Sequence, residues 1–382
     1  MKHYLRKILA FGVDLFLYVF PRDPKIILCT GWGGERFADN SRYIFLYLNE
    51  HKQEYGISTI IWLTVDDLIL KELKGKGYKV LKKNSLLSIY YHLRAKYCFY
   101  DQFVYDYYRT LIRGAKVINL WHGMPIKKFG VWNGLNWNLE DNYLLTCSAY
   151  GDSTIGKAFI TEKEHYIHGM YPRNYYILNE MPLLLKVEQG YLEKVAKVKK
   201  TGKRILFYLP TFRKEKLSFL GESSQDKLNS FFKFLNDHNF CLLTKFHYAG
   251  FVRNHDEVCS KSSVLINLPP SVDVYPFLKE ADILLTDYSS VLFDYLYLDR
   301  RIICFPYDLE EYQMFDQGLL IDYYTLPVSI VKDIEHLQSS LISEDEKEQE
   351  LMRENRHVWL EKCFNNYTIK DTINNIFDER QN

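Results

Sequence analysis

Two adjacent serines, Ser289 and Ser290, lie between a short apolar run and an apolar-periodic segment. The run Ala281–Leu285 predicts a buried strand, and the residues from Val291 onward carry apolar side chains at helical spacing. The first backbone N–H groups of a helix that follows a parallel strand favour an anion. The serine hydroxyls are therefore candidate phosphate ligands. The alternative is that they only cap the helix, which serine commonly does.

A histidine follows another predicted strand. His122 comes soon after the apolar run Val117–Leu120 and is followed by Gly123, Pro125 and two lysines. A neutral imidazole on a loop that leaves a sheet could take a proton from an attacking hydroxyl. The alternative is that it is one of the chain's eleven histidines without a chemical role.

Three further polar segments carry cations, hydroxyls or a second imidazole. They are the turn 169–174 with Arg173, the strand end with Pro210, Thr211 and Arg213, and the strand end with Lys245, Phe246 and His247. Guanidinium groups and hydroxyls suit phosphate oxygens, so the set together suits a pyrophosphate and a proton transfer. For Arg173 alone, the alternative is an ordinary proline turn with a solvated charge. We find no metal-ligand spacing and no Ser-His-Asp order typical of acyl transfer.

The elements that must position these residues alternate along the chain. Short β-branched or aromatic runs are separated by helical patterns, which predicts parallel sheets covered by helices. The predicted strands are 25–30, 58–64, 78–81, 96–100, 115–121, 142–147, 204–209, 240–246, 264–268, 282–285 and 301–305. We therefore predict an α/β protein of two doubly wound Rossmann-type domains, with the ligand at strand carboxyl ends facing a cleft between the domains.

The predicted domain organisation has three parts. Residues 25–197 form an acceptor-side α/β domain, and residues 198–382 form a nucleotide-binding α/β domain that begins in a basic, glycine-containing link. Residues 1–24 form a helix with basic residues at its start and apolar residues at helical spacing, which predicts an interfacial helix on the cytoplasmic membrane surface. The alternative is a helix packed on its own domain.

Composition narrows the class of protein. The 382 residues are 47% hydrophobic, enough for two cores, and the net charge of +1 does not indicate a nucleic-acid partner. The seven cysteines contain no CxxC pair, which predicts buried free thiols in a reducing compartment.

Five segments together resemble the CDP-glycerol glycerophosphotransferase family of teichoic acid biosynthesis. They are WHGMPIKKFG, GMYPRN, LPTFR, KFH and TDYSSVLFDYLYLDRRIICFPYDLEEY, which run in order from Trp121 to Tyr312. The resemblance implies a GT-B fold and transfer of glycerol phosphate from CDP-glycerol to an acceptor hydroxyl, with release of CMP. The short N-terminus is more similar to the primase-type members, which implies an undecaprenyl-linked saccharide acceptor at the cytoplasmic face of the membrane. Neither a cofactor nor a metal is expected.

The resemblance also implies the site residues. His122 and His247 are the two essential histidines. The donor site is lined by Trp121, Gly123, Met124, Pro125, Arg173, Pro210, Thr211, Arg213, Lys245, Phe246, Ser289, Ser290 and Asp294. Met124, Lys245 and Tyr248 stand where the commoner family pattern has Thr, Arg and Pro.

Alternative functions remain open at this point. The donor alcohol could be ribitol rather than glycerol, because Met124 lacks the hydroxyl of the commoner threonine. A GT-B glycosyltransferase would use a nucleotide sugar on the same fold. A non-catalytic scaffold could retain a nucleotide site, although the chain keeps both histidines and both serines.

Overall fold

The computed structural model describes residues 2–102, 107–137, 142–211, 219–245, 264–315, 318–343 and 345–378. The chain divides into two compact units. The first unit contains Met1–His122, Asn136–Tyr176 and Asn366–Asn382, and the second contains Gly123–Leu135 and Ile177–Asn365. The predicted boundary near residue 197 differs from this division, in which Ile177–Asn365 belongs to the second unit and Asn366–Asn382 to the first.

Strands and helices alternate throughout. The strands are β1 (Asp23–Cys29), β2 (Thr59–Thr64), β3 (Val80–Lys82), β4 (Ala95–Tyr100), β5 (Lys116–Asn119), β6 (Asn142–Thr146), β7 (Tyr166–His168), β8 (Arg204–Leu209), β9 (Phe240–Thr244), β10 (Leu265–Asn267), β11 (Ile283–Thr286), β12 (Arg301–Cys304) and β13 (Ser329–Ile330). The helices are α1 (Lys2–Val19), α2 (Asp39–Glu50), α3 (Asp67–Gly75), α4 (Leu86–Arg94), α5 (Ala149–Gly151), α6 (Lys157–Phe159), α7 (Pro172–Leu178), α8 (Lys186–Lys199), α9 (Phe219–Glu222), α10 (Gln225–Asp237), α11 (Tyr275–Leu278), α12 (Val291–Tyr295), α13 (Leu309–Phe315), α14 (Ile334–Ile342), α15 (Glu346–Phe364) and α16 (Ile369–Phe377).

The first unit is built on a sheet of order β3-β2-β1-β4-β5-β6-β7, and all its pairs are parallel. A cluster of buried side chains lies against β1, β2, β4 and β5 and includes Leu28, Ile61, Cys98 and Val117. These side chains are apolar because a parallel sheet is covered by helices on its faces.

The second unit has a sheet of order β10-β9-β8-β11-β12-β13, again with parallel pairs. This is the strand order of a doubly wound dinucleotide-binding sheet. A cluster of its buried side chains includes Leu206, Phe231, Leu242, Leu285 and Ile303.

Polar caps set where several helices begin. Asp66 accepts hydrogen bonds from Leu68 N and Ile69 N at 2.7 and 2.9 Å at the start of α3. At the start of α16, Thr368 and Asp371 form a reciprocal capping box. Each cap satisfies backbone N–H groups that the helix itself leaves without acceptors.

The C-terminal helix α16 belongs to the first unit. Thr372 Oγ1 accepts a hydrogen bond from Met170 N at 2.8 Å, and Asn375 Nδ2 donates to His168 O at 2.8 Å. Lys116 Nζ donates to Ile376 O at 2.9 Å and so satisfies a carbonyl in the last turn of the helix.

The N-terminal helix α1 carries an exposed apolar face. Phe11 and Leu15 are 71% and 58% exposed, whereas Val13 is buried. Arg113 forms an ion pair with Asp14 at 3.1 Å. Among the described residues, no helix is both long enough and apolar enough to span a membrane.

Candidate functional site

Each sheet has one switch point, and the predicted motifs LPTFR and TDYSS follow the two strands that flank the one in the second unit. In each sheet, the second and third strands are added on one side of the first strand. The fourth strand then pairs with the other side of the first strand, and the later strands follow it outward. The switch points are therefore between β1 and β4 in the first unit and between β8 and β11 in the second. Ligands of doubly wound sheets bind outside the strand carboxyl ends at such points.

One buried carboxylate organises the switch point of the second unit. Asp287 Oδ1 accepts hydrogen bonds from Thr211 N and from Tyr288 N, both at 2.7 Å. Thr286 Oγ1 donates to Leu209 O at 2.7 Å just before them. The loops after β8 and β11, which carry Pro210-Thr211 and Ser289-Ser290, are thus fixed to each other. Asp287 was missing from the predicted site residues.

Tyr323 holds the backbone of Asp287 in place. Tyr323 Oη donates to Asp287 O at 2.7 Å, and burial raises the pKa of Tyr323 well above its usual value, so the phenol stays a donor. The pKa of the neighbouring Cys304 thiol is also raised by burial, to about 12, which keeps it protonated.

The two serines lie as predicted between a strand and a helix. Ser289 and Ser290 are half-buried, and Ser290 is the N-cap residue of α12. Its side chain makes no capping hydrogen bond to the described helix. The capping alternative is therefore not realised by Ser290.

Asp294 and Lys245 are predicted donor-site residues that contact their own unit. Asp294 is fully buried on α12, where its Oδ2 accepts a hydrogen bond from Tyr275 Oη at 2.8 Å. Lys245 Nζ donates to Val272 O at 2.5 Å at the end of β9. Lys245 directly follows β9, whereas Asp294 lies in the helix after β11. The predicted residues Arg213, Phe246 and His247 lie outside the described residues.

In the first unit, His122 lies beside the switch point. Its Nδ1 is 3.2 Å from Asp101 O, the first residue after β4. Its ring contacts the indole of Trp121, with centroids 3.8 Å apart. Trp121 has a φ of +52°, which is uncommon for a bulky residue and is found at sites where the surroundings impose it.

Two buried amides hold Trp121. Asn119 Oδ1 accepts a hydrogen bond from Trp121 N at 2.8 Å, and Asn40 Nδ2 donates to Trp121 O at 2.8 Å. Neither asparagine was predicted to belong to the site. Asn40 lies 81 residues before Trp121, in a helix whose residues 39–48 are all buried, so hydrophobic periodicity does not distinguish it.

Arg173 is buried and is therefore not the solvated turn charge that the sequence left open as an alternative. Its side chain is only 2% exposed, and its Nη1 lies 2.6 Å from Asp39 Oδ1. Arg173 N also donates to Asn40 Oδ1 at 3.2 Å. The predicted role of Arg173 in donor binding stays a prediction.

The segment that follows His122 belongs to the second unit. Gly123 has a φ of +131°, which residues with a side chain rarely adopt, and Met124 and Pro125 are buried. Leu320 N donates to Ile126 O at 2.7 Å, and Lys128 N donates to Gly318 O at 3.1 Å. These bonds form a short antiparallel contact that holds the segment against its unit.

Within the described parts of the chain, no group of three or more His, Cys, Asp or Glu side chains could hold a metal ion. The six described cysteines are buried free thiols, as predicted for them.

The family is decided by a match over nearly the whole chain. The family model described as CDP-Glycerol:Poly(glycerophosphate) glycerophosphotransferase matches residues 13–378. The chain belongs to this family of glycerophosphotransferases. The resemblance that the five sequence segments indicated is confirmed.

Curated relatives of the chain act in teichoic acid synthesis. A teichoic acid poly(glycerol phosphate) polymerase of Staphylococcus epidermidis is 26% identical over 350 residues, which is 82% of this chain and 46% of the relative. The chain thus spans less than half the length of that polymerase. A teichoic acid glycerol-phosphate transferase of Staphylococcus aureus is 25% identical, with 95% of each chain covered. A teichoic acid ribitol-phosphate primase of Bacillus spizizenii is 24% identical, with 91% of this chain and 90% of the relative covered.

A solved structure confirms the fold. The Wall Teichoic Acid Polymerase TagF superposes with a TM-score of 0.73 at 21% identity and covers 96% of this chain and 90% of its own. A variant of TagF soaked with CDPG gives a TM-score of 0.72 at 22% identity, with 96% and 91% of the two chains covered. The predicted GT-B-like α/β fold is therefore confirmed.

Proposed function

We propose that this family member transfers glycerol phosphate from CDP-glycerol to a hydroxyl of a lipid-linked saccharide and releases CMP. The observation that carries the proposal is the hydrogen bond between Thr211 N and Asp287 Oδ1. It joins the family's LPTFR and TDYSS segments at the switch point of a doubly wound sheet, where nucleotides bind.

The donor half of the proposed site lies in the second unit. Ser289 and Ser290 precede α12, and neither hydroxyl has a hydrogen bond to another described residue. We assign these hydroxyls, with Arg213 and His247, to the phosphate oxygens of CDP-glycerol. Charge-assisted hydrogen bonds to phosphate are stronger than those between neutral groups.

The reaction is a displacement at phosphorus. The acceptor hydroxyl oxygen forms a bond to the phosphorus that carries glycerol, and the bond from that phosphorus to the CMP oxygen breaks. His122 takes the hydroxyl proton, and CMP leaves with the bonding electron pair. Positioning and electrostatic stabilisation of the phosphoryl oxygens supply most of the rate enhancement in such reactions.

The features of the N-terminal helix α1 support a lipid-linked acceptor. The first residues of α1 include Lys2, Arg6 and Lys7, and its apolar side chains Phe11 and Leu15 are exposed. A helix with these features can lie in the interface of an anionic membrane. The enzyme would then meet an undecaprenyl-linked saccharide at the cytoplasmic face of the cell membrane as a peripheral protein.

CDP-ribitol is the second candidate donor. Relatives named for ribitol phosphate cover the chain about as fully as those named for glycerol phosphate. Met124, fully buried where the commoner family pattern has threonine, removes a hydroxyl from this loop. Glycerol is favoured here because the matching family model is the one described for glycerophosphate.

One assay tests donor, reaction and product together. The full chain is incubated with a saccharide lipid acceptor and, in turn, CDP-glycerol, CDP-ribitol and a UDP-sugar. We expect CMP release with CDP-glycerol, dependent on acceptor, and loss of that release in His122→Ala. Release of UDP without CMP would overturn the proposal. Mass spectrometry of the lipid product counts the added units and so separates a primase from a polymerase.

A further inference from the structure

The residue before His122 has a backbone conformation that needs external support. Trp121 adopts a φ of +52°, which is disfavoured for a large side chain. Both of its backbone polar groups are bound by buried amides, its N–H by Asn119 Oδ1 and its C=O by Asn40 Nδ2. Its indole packs edge-on against Phe159 with centroids 4.6 Å apart. These contacts hold the backbone of Trp121, and so they determine the position of the next residue, His122.

The amide of Asn40 has only one orientation that suits its neighbours. Asn40 Nδ2 donates to two carbonyls, Leu120 O at 3.3 Å and Trp121 O at 2.8 Å. Asn40 Oδ1 accepts from Arg173 N at 3.2 Å. A carboxylate at this position would direct an oxygen toward two carbonyl oxygens, and a shorter side chain would leave those carbonyls without their buried donor.

The same end of α2 also places the partner of His122. Ser41 N donates to Asp101 Oδ1 at 2.7 Å, which fixes the residue whose carbonyl faces His122 Nδ1 at 3.2 Å. A carbonyl oxygen can only accept a hydrogen bond. In the neutral imidazole, Nδ1 therefore carries the proton and Nε2 carries the lone pair.

We infer that Asn40 is a positioning residue for the reaction: with Asp101 it sets both the place and the tautomer of His122, so that Nε2 is the basic nitrogen. The expected effect on turnover rests on the proposed function. The structural part of the inference concerns only the ring and can be measured without substrate.

The first readout is the tautomer of His122. Two-dimensional NMR of ¹⁵N-histidine-labelled full chain distinguishes the two ring nitrogens, and His122→Gln identifies the signals. We expect wild-type protein to show the Nδ1–H tautomer at a pH where the ring is neutral. Asn40→Asp should lose that preference. Asn49→Asp is the matched control, because Asn49 lies on the same helix and its amide donates to Phe45 O at 2.7 Å.

The second readout is kinetic. In Asn40→Asp we expect kcat to fall by about 10²-fold, the effect of a small misplacement of a reacting group, with donor KM changed less than about two-fold. Asn49→Asp should keep the wild-type kcat. If Asn40→Asp does not fold, Asn40→Ala removes the amide without adding a charge and is measured in its place.

The outcomes separate the two ideas. An Nε2–H tautomer in wild type, or a wild-type tautomer and kcat in the folded Asn40 variant, overturns the inference. If the tautomer shifts as expected but wild-type protein releases no CMP from any CDP-alcohol, the positioning role stands and the proposed function falls.

Discussion

Arg173 Nη1 lies 2.6 Å from Asp39 Oδ1, and the arginine side chain is almost completely buried. Asp39→Asn keeps a residue that tolerates the positive φ of +62° at this position but removes the charge. Because it removes a carboxylate that is paired with a buried guanidinium, we expect the free energy of unfolding to fall by about 3–5 kcal/mol. Equilibrium urea unfolding measures it.

A surface pair provides the control for that prediction. Lys82 Nζ lies 2.7 Å from Asp67 Oδ1, with the Asp67 side chain 81% exposed. Asp67→Asn should cost less than about 1 kcal/mol, since water and salt screen an exposed pair. If both variants lose the same unfolding free energy, the buried Asp39–Arg173 pair contributes no more to stability than the exposed pair.

Ser290→Ala should weaken donor binding without destabilising the protein. The Ser290 side chain makes no capping bond to described backbone, so stability should change by less than about 0.5 kcal/mol. Loss of a hydrogen bond to a charged phosphate should cost about 1.5–3 kcal/mol of binding. Calorimetric titration with CDP-glycerol and thermal unfolding are measured on the same variant.

Asp333→Ala is the opposite case in the same unit. Asp333 caps α14 by accepting from His336 N at 2.6 Å, and its loss should cost about 1 kcal/mol of stability. Its donor affinity should equal that of wild type. If Ser290→Ala lowers the melting temperature but leaves the affinity for CDP-glycerol unchanged, the role of Ser290 is only structural.

The two histidines of the motifs should differ in their effects. His122→Ala should lower turnover by about 10²–10⁴-fold, the range for loss of a general base, with little change in donor affinity. His247→Ala should lower both turnover and donor affinity, because its proposed partner is a donor phosphate. Collapse of donor binding in His122→Ala, with turnover preserved at saturation, would exchange the two roles.

His92 should contribute to acid sensitivity of the first unit. Burial lowers its pKa, Nδ1 lies 2.6 Å from Ser88 O, and Nε2 has no hydrogen-bond partner among the described residues. The folded state therefore favours the neutral ring. Its contribution to stability is complete above the unfolded pKa of about 6.5 and is lost as pH falls toward the lower folded value.

The measurement is unfolding free energy at several pH values between neutral and mildly acidic. We expect His92→Gln to reduce the acid-induced loss of stability relative to wild type. His336→Gln makes the same replacement at an exposed histidine and is the comparison variant. If the wild-type and His92→Gln curves are parallel, His92 is not a source of the acid sensitivity.

The exposed face of α1 should bind anionic vesicles. Phe11→Ser combined with Leu15→Ser removes two apolar side chains, each contributing about 1.5–3 kcal/mol when fully buried in lipid. Co-sedimentation should drop sharply for this variant. Leu86→Ser changes a side chain that is 86% exposed on α4 and should bind like wild type. Retained binding by the double variant would remove α1 as the membrane contact.

The sequence by itself determined the fold class, most strands and the motif positions. β8 is observed at the predicted residues Arg204–Leu209, and β2 begins one residue after its prediction. Each of these strands has six residues and contains an uninterrupted apolar run, 205–209 in β8 and 60–63 in β2, which makes its composition distinctive. β7 and β13 were not predicted, because they have three and two residues and carry little apolar pattern.

The tertiary structure alone decided which residues support the site. Asn40 has no local pattern that distinguishes it from other polar residues near helix ends, and the TDYSS segment that contains Asp287 did not indicate which group its carboxylate binds. Their partners, Trp121 and Thr211, lie 81 and 76 residues away. Hydrophobic periodicity reports which face of an element is buried, whereas such hydrogen bonds depend on which strand ends the sheet order brings side by side. That order follows from packing of the whole unit.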